Sequence, residues 1–283
     1  MTANDLPAPI AEESLAFAML LESFRRVEEL GKSMRKFEVH PKSALAGDDA
    51  ATPYETLSSQ VETNIQGAID NVGALSALIV EAHVLPAFAH FGLLRNALEM
   101  VGMGLWLLGP TARDERVLRS LQATLEARRD SVNASNELFR HTVRFPTDDP
   151  VHVLLLSQRD ARLGLLGRSL ATPSISTRLA AAQQYCAEQP YTILGFWRLS
   201  SGAMHGRRAT LRDLLEHDIL SSSDTEVRTS MTSGVIVVAN ILQHVEVYLF
   251  ELTFLLLERA GHGKRAGATV TNGGSEATTT DNR

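Results

Sequence analysis

The stretch MTSGVIVVANILQHVEVYLFELTFLLL, residues 231–257, decides the fold. Its apolar residues recur at alternating spacings of four and three, at Met231, Val235, Val238, Leu242, Val245, Leu249, Leu252 and Leu256. A mean period of about 3.5 residues is typical of a helix seam in a bundle or coiled coil. We therefore predict a long, buried C-terminal helix that begins near Ser223 or Asp224 and ends at Gly261.

The rest of the chain also favours helix. Leu, Ala, Glu and Arg are plentiful, aromatic residues make up only 6%, and no alternating run indicates strands. We predict an all-α fold, a multi-helix bundle with a long C-terminal helix. Residues 1–260 should form one helical domain with a loop at about 31–53, where Pro41 and Pro53 lie in a stretch without a clear period. Residues 261–283, rich in Gly, Thr, Ser and Asn, are predicted to be a disordered tail.

Two apolar stretches, residues 74–108 and 235–257, raise the question of a membrane. Both contain ionisable residues, such as Arg95, Glu99 and Glu246, which are costly at the centre of a bilayer. We predict buried helices of a soluble protein and no membrane span. The single Cys186 cannot form an intramolecular disulfide, and the first residues lack the basic start of a secretory signal, so we predict a cytoplasmic location.

Several chemistries have no sequence signature in this chain. It has no phosphate-binding Gly-x-x-x-x-Gly-Lys loop, no Glu-x-x-His or His-Glu-x-x-His metal pair, and no Gly-x-Ser-x-Gly nucleophile turn. His83, His90 and His244 lie in apolar stretches and are interpreted as hydrogen-bonded core histidines. We therefore predict no metal and no cofactor. With a net charge of −6, the protein as a whole does not attract nucleic acid, but this charge does not exclude a local basic site.

The central apolar helix, predicted over residues 85–108, has one polar strip. Arg95, Glu99, Gly102 and Trp106 fall on a narrow face of that helix, given about 100° of rotation per residue. Arg95 and Glu99 are spaced as an i, i+4 ion pair, so they either fix the packing or bind a ligand. Trp106 is interpreted as a core residue.

The segment YTILGFWRLSSGAMHGRR, residues 191–208, contains the candidate site. Arg198 and His205 are seven residues apart, which is two helical turns, so they share a face if the helix persists. Ser201 falls on the same face, and Arg207 and Arg208 follow directly. An arginine, a hydroxyl and an imidazole on one face can hold a phosphate and move a proton. The alternative is that these residues cap or bridge helices.

Arg198, six further residues and His205 together resemble the Arg-x(4–6)-His motif of the HEPN superfamily. The run Leu94-Arg95-Asn96-Ala97-Leu98-Glu99 is also similar to uncharacterised helical bacterial proteins grouped near that superfamily. The resemblance covers roughly residues 74–205. The position after the arginine, usually polar in HEPN nucleases, is Leu199 here.

This resemblance implies a small helical bundle that binds RNA, with the activity of a metal-independent endoribonuclease of the toxin or defence type. It implies a homodimer and, in toxin systems, an antitoxin or another protein partner. Arg198 and His205 would be the catalytic residues, and the RNA would be bound by Ser201, Arg207, Arg208, Arg95 and Glu99.

A different class of function is also open, a non-catalytic interaction or ligand-binding module. In that case the Arg95/Glu99 strip and the Arg198/His205 strip would form one polar cluster inside the bundle. The two hypotheses differ in the exposure of Arg198 and His205, because an RNA site needs them on the surface.

Overall fold

The computed structural model of the chain describes residues 8–139, 149–167, 172–222 and 227–263. Within these ranges the chain forms ten α-helices and one β-hairpin. They are α1 (Ala8–Met34), α2 (Ala44–Ala51), α3 (Leu57–Ser76), α4 (Ala89–Leu108), α5 (Arg113–Phe139), α6 (Pro150–Leu166), α7 (Ile175–Ala182), α8 (Ile193–Met204), α9 (Arg208–Leu214), β1 (Leu215–Ser222), β2 (Val227–Ser233) and α10 (Val235–Ala260). The predicted all-α, multi-helix fold with a long C-terminal helix is confirmed.

The C-terminal helix begins later than predicted. Met231 lies in strand β2, where it pairs with His217 of β1 in an antiparallel hairpin, and α10 begins only at Val235. Gly234 stands at the N-cap position, so the prediction of a helix that begins near Ser223 or Asp224 and includes Met231 in its seam is wrong. The predicted caps Ser223 and Asp224 lie outside the described residues. The predicted end is confirmed, since Gly261 adopts a φ of 95° that favours glycine.

The stretch predicted as a loop at about 31–53 contains helical structure. Helix α1 continues to Met34, and α2 spans eight residues of the supposed loop. Ser43 caps α2, because its hydroxyl accepts a hydrogen bond from the Ala46 amide at 3.1 Å. Asp48 in α2 is completely buried and accepts two bonds from the buried Arg116 guanidinium, at 2.6 and 3.0 Å. This ion pair holds α2 against α5.

Helices α4 and α10 form the centre of the core. The predicted seam of α10, from Val238 to Leu256, is completely buried and belongs to one continuous apolar cluster with α1, α3 and α4. The two central helices approach closely at Gly104, where an added Cβ would lie 2.5 Å from the Leu252 Cδ2 atom. A side chain at residue 104 would therefore require the buried Leu252 side chain to shift.

The two central helices are also long and apolar enough to cross a membrane by length and composition. In the most apolar 18-residue stretch of each helix, 61% of α4 and 50% of α10 is buried inside the protein, as in the core helices of a soluble protein. The carboxylate of Glu246 on α10 is buried but has hydrogen-bond partners. It accepts hydrogen bonds from the Ser23 hydroxyl at 2.6 Å and the Arg26 guanidinium at 3.0 Å, both on α1.

Helix α4 begins four residues later than its predicted start at about residue 85. A π-helical turn, Ala77–Glu81, follows α3, and α4 begins only at Ala89. His83 lies exposed in the intervening loop with a positive φ of 56°, so its interpretation as a core histidine is wrong. His90 is buried as predicted, with Nδ1 at 2.5 Å from the Pro86 carbonyl oxygen. Burial lowers the pKa of His90 to about 4.

Candidate functional site

Helix α8 carries the residues of the candidate site and remains helical as far as His205. The Thr192 hydroxyl caps its start by accepting a bond from the Gly195 amide at 3.0 Å. At the other end, the His205 amide donates to the Ser201 carbonyl oxygen at 3.1 Å, which is the i to i−4 bond of an α-helix. Arg198 and His205 therefore share one face and lie about 10 Å apart along the helix axis.

That face is open to solvent. Arg198 and His205 are exposed, and Ser201 is half-buried between them. Gly206, with a φ of 66°, then turns the chain into α9, so Arg207 and Arg208 lie exposed at the next helix start. Where the structure describes side chains, no carboxylate pairs with Arg198, Arg207 or Arg208.

Arg95 and Glu99 contact the residue beside Arg198 rather than Arg198 itself. They form an ion pair of 3.1 Å with side chains 24% and 30% exposed. The Trp197 Nε1–H donates to Glu99 Oε2 at 2.8 Å, and the Arg95 guanidinium lies 4.8 Å from the centre of the Trp197 ring. This three-residue contact joins α4 to α8 and borders the Arg198–His205 face.

An aromatic cluster fixes the beginning of α8 on α10. The rings of Tyr191 and Phe196 both contact the imidazole of His244, with centroids 5.4 and 4.7 Å away. The Tyr248 hydroxyl donates to the Tyr191 carbonyl oxygen at 2.6 Å, and His244 Nδ1 lies 2.8 Å from the Asn240 carbonyl oxygen. His244 is therefore hydrogen-bonded within the fold, in agreement with its structural interpretation.

Trp106, on the polar strip of α4, is a buried structural residue. Trp106 is 3% exposed, and the guanidinium groups of Arg119 and Arg178 lie 5.1 and 5.0 Å from its ring centre. A ring that is buried and contacted by two cations inside the protein is not open to a stacking base. The prediction of a core position is confirmed.

The part of the chain that the structure describes contains no group of three or more His, Cys, Asp or Glu side chains placed to hold a metal ion. Cys186 is half-buried, and burial raises the pKa of its thiol to about 12, so it is not an activated nucleophile. Comparison of the chain with protein-family models, characterised proteins and solved structures gave no match.

The structure thus brings Arg198, Ser201 and His205 onto one exposed face, adds Arg207 and Arg208 at its end, and leaves Arg95 and Glu99 at its border. Sequence reasoning missed Trp197, because its partner Glu99 is 98 residues away. In the sequence, only the position of Trp197 next to Arg198 indicated that it could belong to the site.

Proposed function

We propose that the protein is a HEPN-like RNA-binding protein that cleaves RNA without a metal at the Arg198–His205 face. The observation that supports this is that α8 continues to Met204 with His205 as its C-cap, which gives Arg198, Ser201 and His205 a common exposed face. The same exposure disfavours the alternative of a non-catalytic module, which requires these side chains to be buried in one polar cluster with Glu99.

The proposed reaction uses the RNA's own 2′-hydroxyl as the nucleophile. The 2′ oxygen attacks the adjacent phosphorus, the bond from phosphorus to the 5′ oxygen breaks, and the products are a 2′,3′-cyclic phosphate and a 5′-hydroxyl. His205 takes the proton from the 2′-hydroxyl or gives one to the leaving oxygen. Arg198 stabilises the charge that develops on the equatorial oxygens, and Ser201 orients the phosphate.

Two proton transfers are needed, and the Arg198–His205 face of one chain provides one imidazole. A second copy of the chain would bring a second His205 to the phosphate, which agrees with the homodimer implied by the HEPN resemblance. A cytoplasmic location and a protein partner of the antitoxin type belong to the same proposal.

RNA binding should depend on local charge, because the whole chain is acidic with a net charge of −6. Arg207 and Arg208 are exposed and lie beside the Arg198–His205 face, so we propose that they bind the phosphate backbone of the RNA. For single-stranded RNA, each phosphate contact contributes about −0.7 to the slope of log affinity against log salt.

The test is fluorescence anisotropy with a labelled 2′-O-methyl RNA, which binds but has no free 2′-hydroxyl. Arg207→Gln and Arg208→Gln should each weaken binding and flatten the salt slope by about 0.7. The matched control is Arg35→Gln, which removes an exposed arginine in the turn after α1 and should bind as the unaltered protein does. Equal loss in all three variants would show that the charge effect is not local, and the proposed site would be wrong.

A further inference from the structure

Helix α5 carries a stripe of residues that the proposed RNA site does not use. In the first half of α5, Val117 and Leu121 pack against Leu155 of α6 in a small apolar core. From Gln122 onwards, the side of α5 that faces α6 changes from apolar to mostly polar residues. Spacings of three and four lead to a mostly polar set, Gln122, Leu125, Glu126, Arg129, Val132, Asn133 and Asn136. Packed helices normally bury apolar residues at this spacing.

In this region the two helices separate around a cleft of about 400 Å³ instead of packing. This volume lies within the range of small-molecule sites, roughly 300–1,000 Å³. Arg129 of α5 and Arg159 of α6 both line the cleft, and Leu125 and Leu156 supply apolar walls. Two guanidinium groups and an apolar wall are the features that an anionic small molecule requires.

The carboxylate in the cleft is already neutralised from the core side. Glu126 Oε2 accepts a hydrogen bond of 2.5 Å from Arg178, whose side chain is 5% exposed and also stacks on Trp106. Arg129 approaches Glu126 only to 3.9 Å, which is longer than a hydrogen bond. Arg129 also lies 3.5 Å from the carboxylate of Asp130, whose side chain is 64% exposed, so both of its described ion pairs are long.

Within the described residues, the ion pair of the other cation in the cleft is with a surface carboxylate. Arg159 pairs at 2.7 Å with the neighbouring Asp160, whose side chain is 56% exposed. Exposed ion pairs contribute little to stability, so a ligand anion can replace Asp160 at little cost. The imidazole of His152 also lines the cleft, and burial lowers its pKa, with smaller contributions from Arg128 and Arg159 that Asp149 opposes.

We propose that the cleft between α5 and α6 binds a small anionic molecule, with its carboxylate or phosphate between Arg129 and Arg159 and its apolar body against Leu125 and Leu156. Guanidinium groups bind carboxylates and phosphates alike through paired N–H donors. The proposal therefore covers a ligand with either of these two anionic groups. The inference concerns helices other than α8 and does not depend on the proposed RNA cleavage.

The experiment is isothermal titration calorimetry of the full chain with four probes: phenyl phosphate, benzoate, inorganic phosphate and benzyl alcohol. Phenyl phosphate or benzoate should bind, and which of them binds more tightly identifies the head group. Inorganic phosphate should bind more weakly, because it lacks the apolar body, and benzyl alcohol should not bind, because it lacks the charge.

Arg129→Gln and Arg159→Gln test whether the binding occurs in the cleft. Each should weaken the binding of the better aromatic anion at least tenfold, which corresponds to the loss of one charge-assisted contact. Arg35→Gln should bind as the unaltered protein does, and thermal unfolding of each variant shows that it is folded. The proposal is overturned if neither aromatic anion binds, if benzyl alcohol binds as tightly as they do, or if both cleft variants keep full affinity.

Discussion

The indole Nε1–H of Trp197 donates a hydrogen bond of 2.8 Å to Glu99 Oε2 and thereby joins α8 to the central helix α4. The same carboxylate binds Arg95 at 3.1 Å, and the Arg95 guanidinium covers the Trp197 ring. Arg198 is the next residue along the chain. The contact between Trp197 and Glu99 therefore fixes the rotation of α8, and with it the direction in which the Arg198–His205 face points.

Removing the Glu99 carboxylate should destabilise the protein more than removing a surface carboxylate. A fully buried pair would cost about 3–5 kcal/mol when one partner is removed. Because Arg95 and Glu99 are 24% and 30% exposed, we expect Glu99→Ala to cost about 1–2 kcal/mol. Urea unfolding measures the change.

The matched control for Glu99→Ala is Glu28→Ala, which breaks the pair of Glu28 and Lys32 on the surface of α1, where Glu28 is 68% exposed. That change should cost less than about 0.5 kcal/mol. Glu99→Gln keeps an acceptor for Trp197 and should fall between the two. Equal losses for Glu99→Ala and Glu28→Ala would mean that the contact does not hold α8 in place.

Two glycine-to-alanine substitutions should act in opposite directions. At Gly104 the new Cβ would lie 2.5 Å from the buried Leu252 side chain, so overpacking should cost about 1–3 kcal/mol. At Gly73, inside α3, an added Cβ meets nothing within 4 Å, so the higher helix propensity of alanine should gain about 0.5–1 kcal/mol. Thermal and urea unfolding of the two variants would check this, and a stabilising Gly104→Ala would show that α4 and α10 do not cross closely there.

His90 should make the protein less stable in mild acid. Its pKa is lowered to about 4 in the fold, whereas an unfolded histidine has a value of about 6.5. The unfolded chain therefore binds the extra proton between pH 6.5 and pH 4. The stabilisation is complete above about pH 6.5 and is lost as the pH falls towards 4, by up to about 3 kcal/mol.

The measurement is the free energy of unfolding of the unaltered protein and of His90→Gln at several pH values in that range. The difference between the two proteins isolates this one group, because all other titrating groups are shared. The unaltered protein should lose more stability on acidification than the variant does. Parallel pH profiles would contradict the account of His90.

The sequence predicted the elements that depend on local periodicity and missed those that depend on distant partners. The seam of α10 was visible because Val238 to Leu256 repeat with the period of a packed helix. The same pattern included Met231, since a spacing rule does not register pairing with β1 or the break at Gly234. Helix α2 was missed because the buried pair that holds it joins Asp48 to Arg116, 68 residues away.

In the candidate site, too, the sequence predicted what depends on local spacing and missed what depends on distant partners. The spacing of Arg198 and His205 sufficed to predict a shared face, because it requires only that one helix persists. The contact of Trp197 with Glu99 spans 98 residues and has no local signature. The cleft of α5 and α6 was missed for another reason. Its stripe from Gln122 to Asn136 has helical spacing, but its residues are polar, so a search for apolar periodicity passes over it.

The most direct test of the central claim is incubation of the purified protein with RNA in EDTA, followed by analysis of the product ends. The account predicts cleavage without metal and fragments that carry 2′,3′-cyclic phosphates, because the neighbouring 2′-hydroxyl is the nucleophile. His205→Ala should abolish cleavage while circular dichroism stays unchanged. Arg198→Lys should be severely impaired because an ammonium group cannot replace the guanidinium fork, and Arg35→Gln should cleave normally. Intact RNA after incubation with the unaltered protein, or undiminished cleavage by His205→Ala, would contradict the account.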